Sequence, residues 1–197
     1  MYFEKGYIYH IYNQGNNRQK VFFNRDNYLF FLRKVRIHVL PFVDIIAYCL
    51  MPNHFHLMVM VKEIEITVEV NGLSPKNRTI NDSIGIMLRS YTQAVNKQQN
   101  RSGKLFREKT KSECINCPQG LSPSFITQNG VTVINVELPE HQYPQVCFNY
   151  IHRNPVKAGL VKKPEDWEFS SAADYAGLRG GTLINYETAK MYVNTNI

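Results

Sequence analysis

The chain has 197 residues, 44% of them hydrophobic, which is enough apolar material for one sizeable core and one domain. No stretch approaches the ~20 consecutive apolar residues of a membrane span, and the N-terminus has no apolar signal core, so a soluble cytoplasmic protein is expected. The formal net charge of +7 suits a polyanionic partner without identifying one.

In chain order, "GYIYHIYN" reads as a strand and "NQGNNRQ" as the turn that follows. "NRDNYLFFLRKVRIHVL" reads as a helix capped by Asn24 or Asp26, with Tyr28, Phe31, Leu32, Val35 and Val39 at helical spacing. "FVDIIAYCLM" and "HFHLMVMVK" are two strands joined by a short Pro-Asn corner into an antiparallel hairpin. The segment from Glu63 to Asp82 extends the hairpin and then loops out. "DSIGIMLRSYTQAVNKQQN" is a second helix, capped by Asp82 or Ser83, whose stripe includes Tyr91 as a core residue. "RSGKLFREKTKS" is a basic segment. Residues 112–138 resist assignment, although "GVTVINVEL" has strand character. A third helix is expected from about Pro144, because proline suits a first turn, and Pro155 should stop it near Asn154. Residues 164–197 form a C-terminal cap of short helices or loops. The order predicts an α+β fold, a ferredoxin-like sandwich with an antiparallel-centred sheet and helices packed on one face.

The four cysteines are Cys49, Cys114, Cys117 and Cys147. Cys49 and Cys147 lie in apolar runs and read as buried thiols. "ECINC" has no second CxxC and no histidine pair at finger spacing, which argues against zinc, and no disulfide framework is visible.

Strand alternation puts His54 and His56 on one side and Phe55 and Leu57 on the other. If helices cover the Phe55 side, the histidines face a cleft or solvent, placed to share a metal ion. Taken alone, an HxH pair is more often two polar residues on a half-buried strand. Farther along, Tyr150 and Asn154 lie four apart on one helix and share a face. A tyrosine hydroxyl is a candidate nucleophile and an amide oxygen a plausible third ligand. Taken singly, each reads as an ordinary helix residue.

Together the two constellations carry a resemblance. "YHIYNQGNNRQKVF", "AYCLMPNHFHLMVMV", "SYTQAVNKQQNRSGKLFREKTKS", "YIHRNPVKAGLV" and "WEFSSAADY", in that order, resemble the REP-associated tyrosine transposases, single-tyrosine members of the HUH superfamily related to insertion-sequence transposases. The resemblance covers most of the chain as one HUH-type domain. The stretch at about 112–139 is longer than the family pattern and looks like an insertion.

The resemblance implies cleavage and joining of single-stranded DNA by transesterification, without ATP. Tyr150 would attack phosphorus and take the 5′ phosphate. His54, His56 and Asn154 would hold Mg²⁺ or Mn²⁺. Arg101, Lys104, Arg107 and Lys109, with Arg153 and Lys157 on the tyrosine helix, are the expected DNA contacts. Part of such charge is ordinarily solvated surface. The implied partner is a hairpin-forming single strand, with a homodimer left open. Three other readings stay open on the residues: a DNA-binding module without catalysis, a metal-dependent hydrolase using water, and a plain structural protein.

Overall fold

The computed structural model describes every residue except 71–72, 118–124, 129–130, 135–138 and 197. Its centre is a four-stranded antiparallel sheet, order β2-β3-β1-β6, built from β1 (Ile8–Gln14), β2 (Val43–Met51), β3 (His54–Val61) and β6 (Lys111–Cys114). With α1 (Arg25–His38) between β1 and β2 and α2 (Ile80–Gln98) between β3 and β6, this is the β-α-β-β-α-β order expected of a ferredoxin-like sandwich. Two small hairpins stand apart from the sheet, β4 (Glu65–Val70) with β5 (Leu73–Thr79), and β7 (Phe125–Gln128) with β8 (Val131–Ile134).

The fourth strand lies at the start of the stretch expected to be an insertion. Its side chains, Lys-Ser-Glu-Cys, carry no apolar alternation, because it is an edge strand paired only to β1. At its end Cys114 and Cys117 form a disulfide, so the reading that saw no disulfide is corrected for this pair. Cys49 and Cys147 are buried free thiols, as expected.

α1 and α2 cover one face of the sheet. Their apolar stripes meet Ile11, Phe55, Leu57 and Val59, and the rings of Phe31, Phe55, Tyr91 and Phe106 pack with centroids 5.0–6.4 Å apart. Tyr91 is fully buried and donates its hydroxyl to Val21 O at 2.8 Å, which confirms it as core. Asn24 caps α1 by accepting from Asn27 N. α2 starts earlier than Asp82 or Ser83 would place it: Thr79 is the cap, and Asp82 closes a capping box back onto it.

The expectation that helices lie on one face only is overturned. α3 (Pro139–Lys157) and α5 (Tyr186–Tyr192) pack on the other face, where Phe148 and Ile151 close over Ile8, Ala47, Cys49 and Met58. α3 also runs farther than predicted in both directions, with Pro144 and Pro155 inside it. Its stop is Gly159 at φ +68°, where Gly159 N–H donates to Val156 O and Leu160 N–H to Pro155 O, both at 2.9 Å. This is the left-handed glycine cap that satisfies the last carbonyls of a helix. A proline four residues earlier removes one donor but leaves the final turn intact.

The C-terminal segment contains α4 (Ala172–Tyr175) and α5, and it fastens α3 in place. Ser171 Oγ accepts from Tyr48 N at 2.9 Å and pairs with His152 Nε2 at 2.7 Å, which ties α3 to β2 through one hydroxyl. Arg179 grips buried Asp174 through both of its oxygens and also donates to Tyr48 Oη at 2.8 Å.

Candidate functional site

The site lies on the sheet face beneath α3. In register, Tyr12 of β1 stands opposite His56 of β3, Gln14 opposite His54, and His10 opposite Met58. Cross-strand partners share a face, so His10, Tyr12, His54 and His56 project together. The edge strand adds Glu113, opposite His10. α3 then lays Tyr150 across this group. Its ring centroid is 5.5 Å from that of His56 and 6.1 Å from that of His10, edge-on to both. Phe148 and Ile151 face the sheet core on the same helix, while Tyr150 keeps 41% of its surface exposed. Side chains separated by about 95 residues are thus brought to one point by strand register and helix packing.

Of the two surroundings expected for the histidines, a cleft or solvent, the structure excludes open solvent. His56 is only 4% exposed and His54 is half-buried, because α3 covers them. Burial, then the neighbouring rings of His10 and His54, holds His56 well below the ordinary imidazole range. Burial likewise brings His10 down to about 4 and lowers His54. All three are neutral at pH 7, the form in which imidazole offers a lone pair.

Each of the two β3 histidines has its Nδ1 occupied. His54 Nδ1 lies 2.6 Å from Asn53 Oδ1, and His56 Nδ1 lies 2.9 Å from His10 Nε2. His56 Nε2 is buried without a hydrogen-bond partner. A pair of imidazoles held at one nitrogen and free at the other is a donor set suited to a cation. Among the described residues there is no cluster of three or more His, Cys, Asp or Glu side chains that could hold a metal.

Asn154 sits one turn beyond Tyr150 and donates Nδ2 to Tyr150 O at 2.9 Å. Lys157 Nζ lies 5.5 Å from the centre of the Tyr150 ring, a cation over the aromatic face. Arg153 is exposed on the same helix.

His10, Tyr12 and Glu113 are site residues that sequence reasoning passed over. Tyr12 donates its hydroxyl to Glu113 Oε1 at 2.5 Å, and this bond, with burial, pushes the phenol up to about 12. The available signal was the alternation in "YHIYN", which puts His10 and Tyr12 on one strand face.

The basic segment is anchored to the end of β1. Arg107 N donates to Gln14 O and Asn16 N to Leu105 O, each at 2.8 Å, while Asn13 Nδ2 donates to Thr110 Oγ1 at 2.9 Å. Leu105 and Phe106 plug the core, so Phe106 is not a free stacking ring. Lys104, Arg107, Lys109 and Lys111, with Arg89 of α2, line an open groove of about 1010 Å³. Arg101 instead donates to Gln19 Oε1 at 3.0 Å and to Lys104 O, bonds that shape the loop.

No family model matches the chain, and no curated protein matches it. Among solved structures it is similar to one described as a REP-associated tyrosine transposase bound to a REP hairpin, with a TM-score of 0.55 and 18% identity, over 94% of this chain and 86% of that one. At this identity the likeness shows a shared fold. No helix among the described residues is long and apolar enough to cross a membrane.

Proposed function

We propose that this chain is a DNA strand-transferase of the REP-associated tyrosine transposase kind, cutting and rejoining single-stranded DNA through a 5′-phosphotyrosine intermediate. The observation that carries the reading is the convergence of Tyr150 with His54 and His56 on one sheet face. The solved relative of the same fold is described as a transposase bound to a hairpin, which makes a hairpin-forming strand the substrate to test.

In this reading Tyr150 Oη attacks the scissile phosphorus in line. The bond to the 5′ phosphate forms as the bond to the 3′ oxygen breaks, and the strand leaves with a 3′ hydroxyl. The phenol gives up its proton during attack and the departing 3′ oxygen takes one up from solvent, so the step is proton-neutral overall. A 3′ hydroxyl attacking the phosphotyrosine reverses the step and restores the tyrosine, so no ATP is consumed. Lys157, over the ring, and Arg153, on the same helix, are placed to hold the strand's phosphates beside the nucleophile. Lys104, Arg107 and Lys109 in the groove would hold a more distant part of the DNA.

The donor set fits a divalent ion. His54 and His56 would hold Mg²⁺ or Mn²⁺ with Asn154 as an oxygen ligand, and the unpartnered Nε2 of His56 is the structural feature that asks for one. Such an ion supplies Lewis-acid polarisation of a phosphate oxygen.

The test is incubation of the protein with single-stranded hairpin DNA and Mn²⁺, followed by denaturing electrophoresis. A covalent protein–DNA band that requires the divalent ion is the expected result. DNA binding without a covalent band, across hairpins of varied flanking sequence, sinks the transferase reading.

A further inference from the structure

The buried contact between His10 and His56 constrains which nitrogen of His56 carries the proton. In the neutral form, the one that can ligate an ion, one imidazole must donate and the other accept across the 2.9 Å separation. If His10 donated, the proton of His56 would sit on Nε2, a buried N–H with no partner. Such a donor costs about 1–3 kcal/mol. If His56 donates from Nδ1, its Nε2 is a bare lone pair, and the other nitrogen of His10 is not among the buried unpartnered atoms. A bare lone pair buried there would cost a similar amount, but a cation can satisfy it and cannot satisfy an N–H, so the second arrangement is the one compatible with an ion.

The same logic recurs at His54 with a different partner. Asn53 Nδ2 donates to Arg18 O at 3.3 Å, which orients the amide and turns Oδ1 to His54 Nδ1. An amide oxygen can only accept, so His54 also carries its proton on Nδ1. Two unrelated neighbours, a strand histidine and a turn asparagine, therefore impose one tautomer on both residues.

From this geometry we infer that His10 is a positioning residue: it accepts from His56 Nδ1–H and thereby presents the Nε2 lone pair of His56 to the divalent ion, an inference that rests on the metal reading above. Among the described residues no other group competes for the role. Tyr12 stacks on His10 at 4.7 Å but spends its hydroxyl on Glu113, and Tyr150 meets His56 only by ring edge. His10 itself is held from both sides in the strand, 8% exposed.

The tautomer can be read without metal or DNA. Long-range ¹H–¹⁵N correlation spectra of the metal-free protein should show His56 protonated on Nδ1. In His10→Phe, which keeps a ring but removes the acceptor, His56 should carry its proton on Nε2. In His10→Gln, whose amide oxygen can accept, the Nδ1–H form should persist. Binding of Mn²⁺ alone, followed by electron paramagnetic resonance, should weaken about 10- to 100-fold in His10→Phe and recover in His10→Gln. A wild-type His56 protonated on Nε2 overturns the assignment even if His10→Phe fails to fold. So does a folded His10→Phe with unchanged tautomer and unchanged Mn²⁺ affinity. Wild-type protein with an Nδ1–H His56 but no Mn²⁺ binding would overturn the metal reading of the site, and with it the proposed purpose of the contact.

Discussion

The two sides of strand β3 are built from alternate residues of one eight-residue segment, yet they answer to different constraints. On one side Phe55, Leu57 and Val59 enter a dry aromatic core under α1 and α2. On the other, His54 and His56 sit under α3 among His10, Tyr12 and Tyr150. The first side is specified by volume and apolarity. The second is specified by which atom each ring nitrogen meets, His54 Nδ1 on Asn53 Oδ1 and His56 Nδ1 on His10 Nε2. The same contrast separates two tyrosines of the site. Tyr12 has its proton held by a carboxylate, whereas Tyr150 stands partly exposed beside the histidines.

The largest effect should come from the tyrosines. Tyr150→Phe removes one oxygen and keeps the ring's packing, so folding and DNA binding should be normal and the covalent adduct absent. Tyr12→Phe should still form the adduct, because a phenol pushed up to about 12 by Glu113 is a poor nucleophile at neutral pH. An adduct that survives Tyr150→Phe and disappears in Tyr12→Phe would reverse the two roles.

Substitution on either side of β3 should break different properties. Phe55→Asp places a carboxylate among Phe31 and Phe106 with nothing to pair it. The lost burial and the unpaired charge together should cost about 4 kcal/mol or more, a large share of a domain's stability. The melting temperature should fall sharply or the variant should fail to fold. His56→Ala and His54→Ala should remain folded, at a cost of about 1–3 kcal/mol that is larger for the more buried His56, while divalent-ion-dependent cleavage disappears. Equal melting temperatures for Phe55→Asp and His56→Ala would erase the distinction between the two sides.

Most of the central sheet was legible because its strands are apolar and its turns carry Asn, Gly and Pro. β1, β2 and β3 and the first two helices stand where alternation and helical spacing place them. β6 was not legible, since an edge strand of Lys, Ser, Glu and Cys has no pattern that separates it from a loop. The length of α3 was misread because proline was taken as a stop, while the glycine that ends the helix lies four residues on. The cover over the histidines escaped for a different reason. Periodicity shows that a helix has an apolar face but not which sheet face it seeks. His54, His56, Tyr150 and Asn154 were singled out through motif spacing and family resemblance, and the structure brings Tyr150 to the histidines. Asn154 is placed beside Tyr150 by its bond to the backbone, and its contact with an ion remains a proposal.

A pH series would sharpen the contrast from the polar side. His152, on the buried face of α3, is bonded through Nε2 to Ser171, and burial brings it down to about 3. Its folded value is depressed below the unfolded 6.5, so the unfolded chain binds the extra proton first. The stability is therefore complete above pH 6.5 and is lost as pH falls from 6.5 toward about 3. At pH 5 the single group should account for about 2 kcal/mol. Wild type should lose more of its melting temperature between pH 7 and pH 5 than His152→Gln does. His10 contributes in the same direction, as its folded value is also depressed. If the two proteins lose equally, His152 is not neutral in the fold.

The smallest effect belongs to the groove, which tests whether its charge is contact or solvated surface. Lys104, Arg107 and Lys109 line it, but Lys104 already has Glu108 at 3.4 Å, and both of these side chains are largely exposed. Such a pair holds little energy and yields readily to a phosphate. Arg101 is different, since its guanidinium is engaged by Gln19 and its loss would disturb the loop itself. Replacing Lys104, Arg107 and Lys109 together by Gln should leave the adduct chemistry intact at low salt. Each true contact to a single-stranded phosphate lost should lower the slope of log affinity against log salt by about 0.7. Three lost contacts would change it by about 2, and one by less than 1. An unchanged slope would return all three residues to solvated surface and leave the DNA held by Arg153 and Lys157, on the helix that carries the nucleophile.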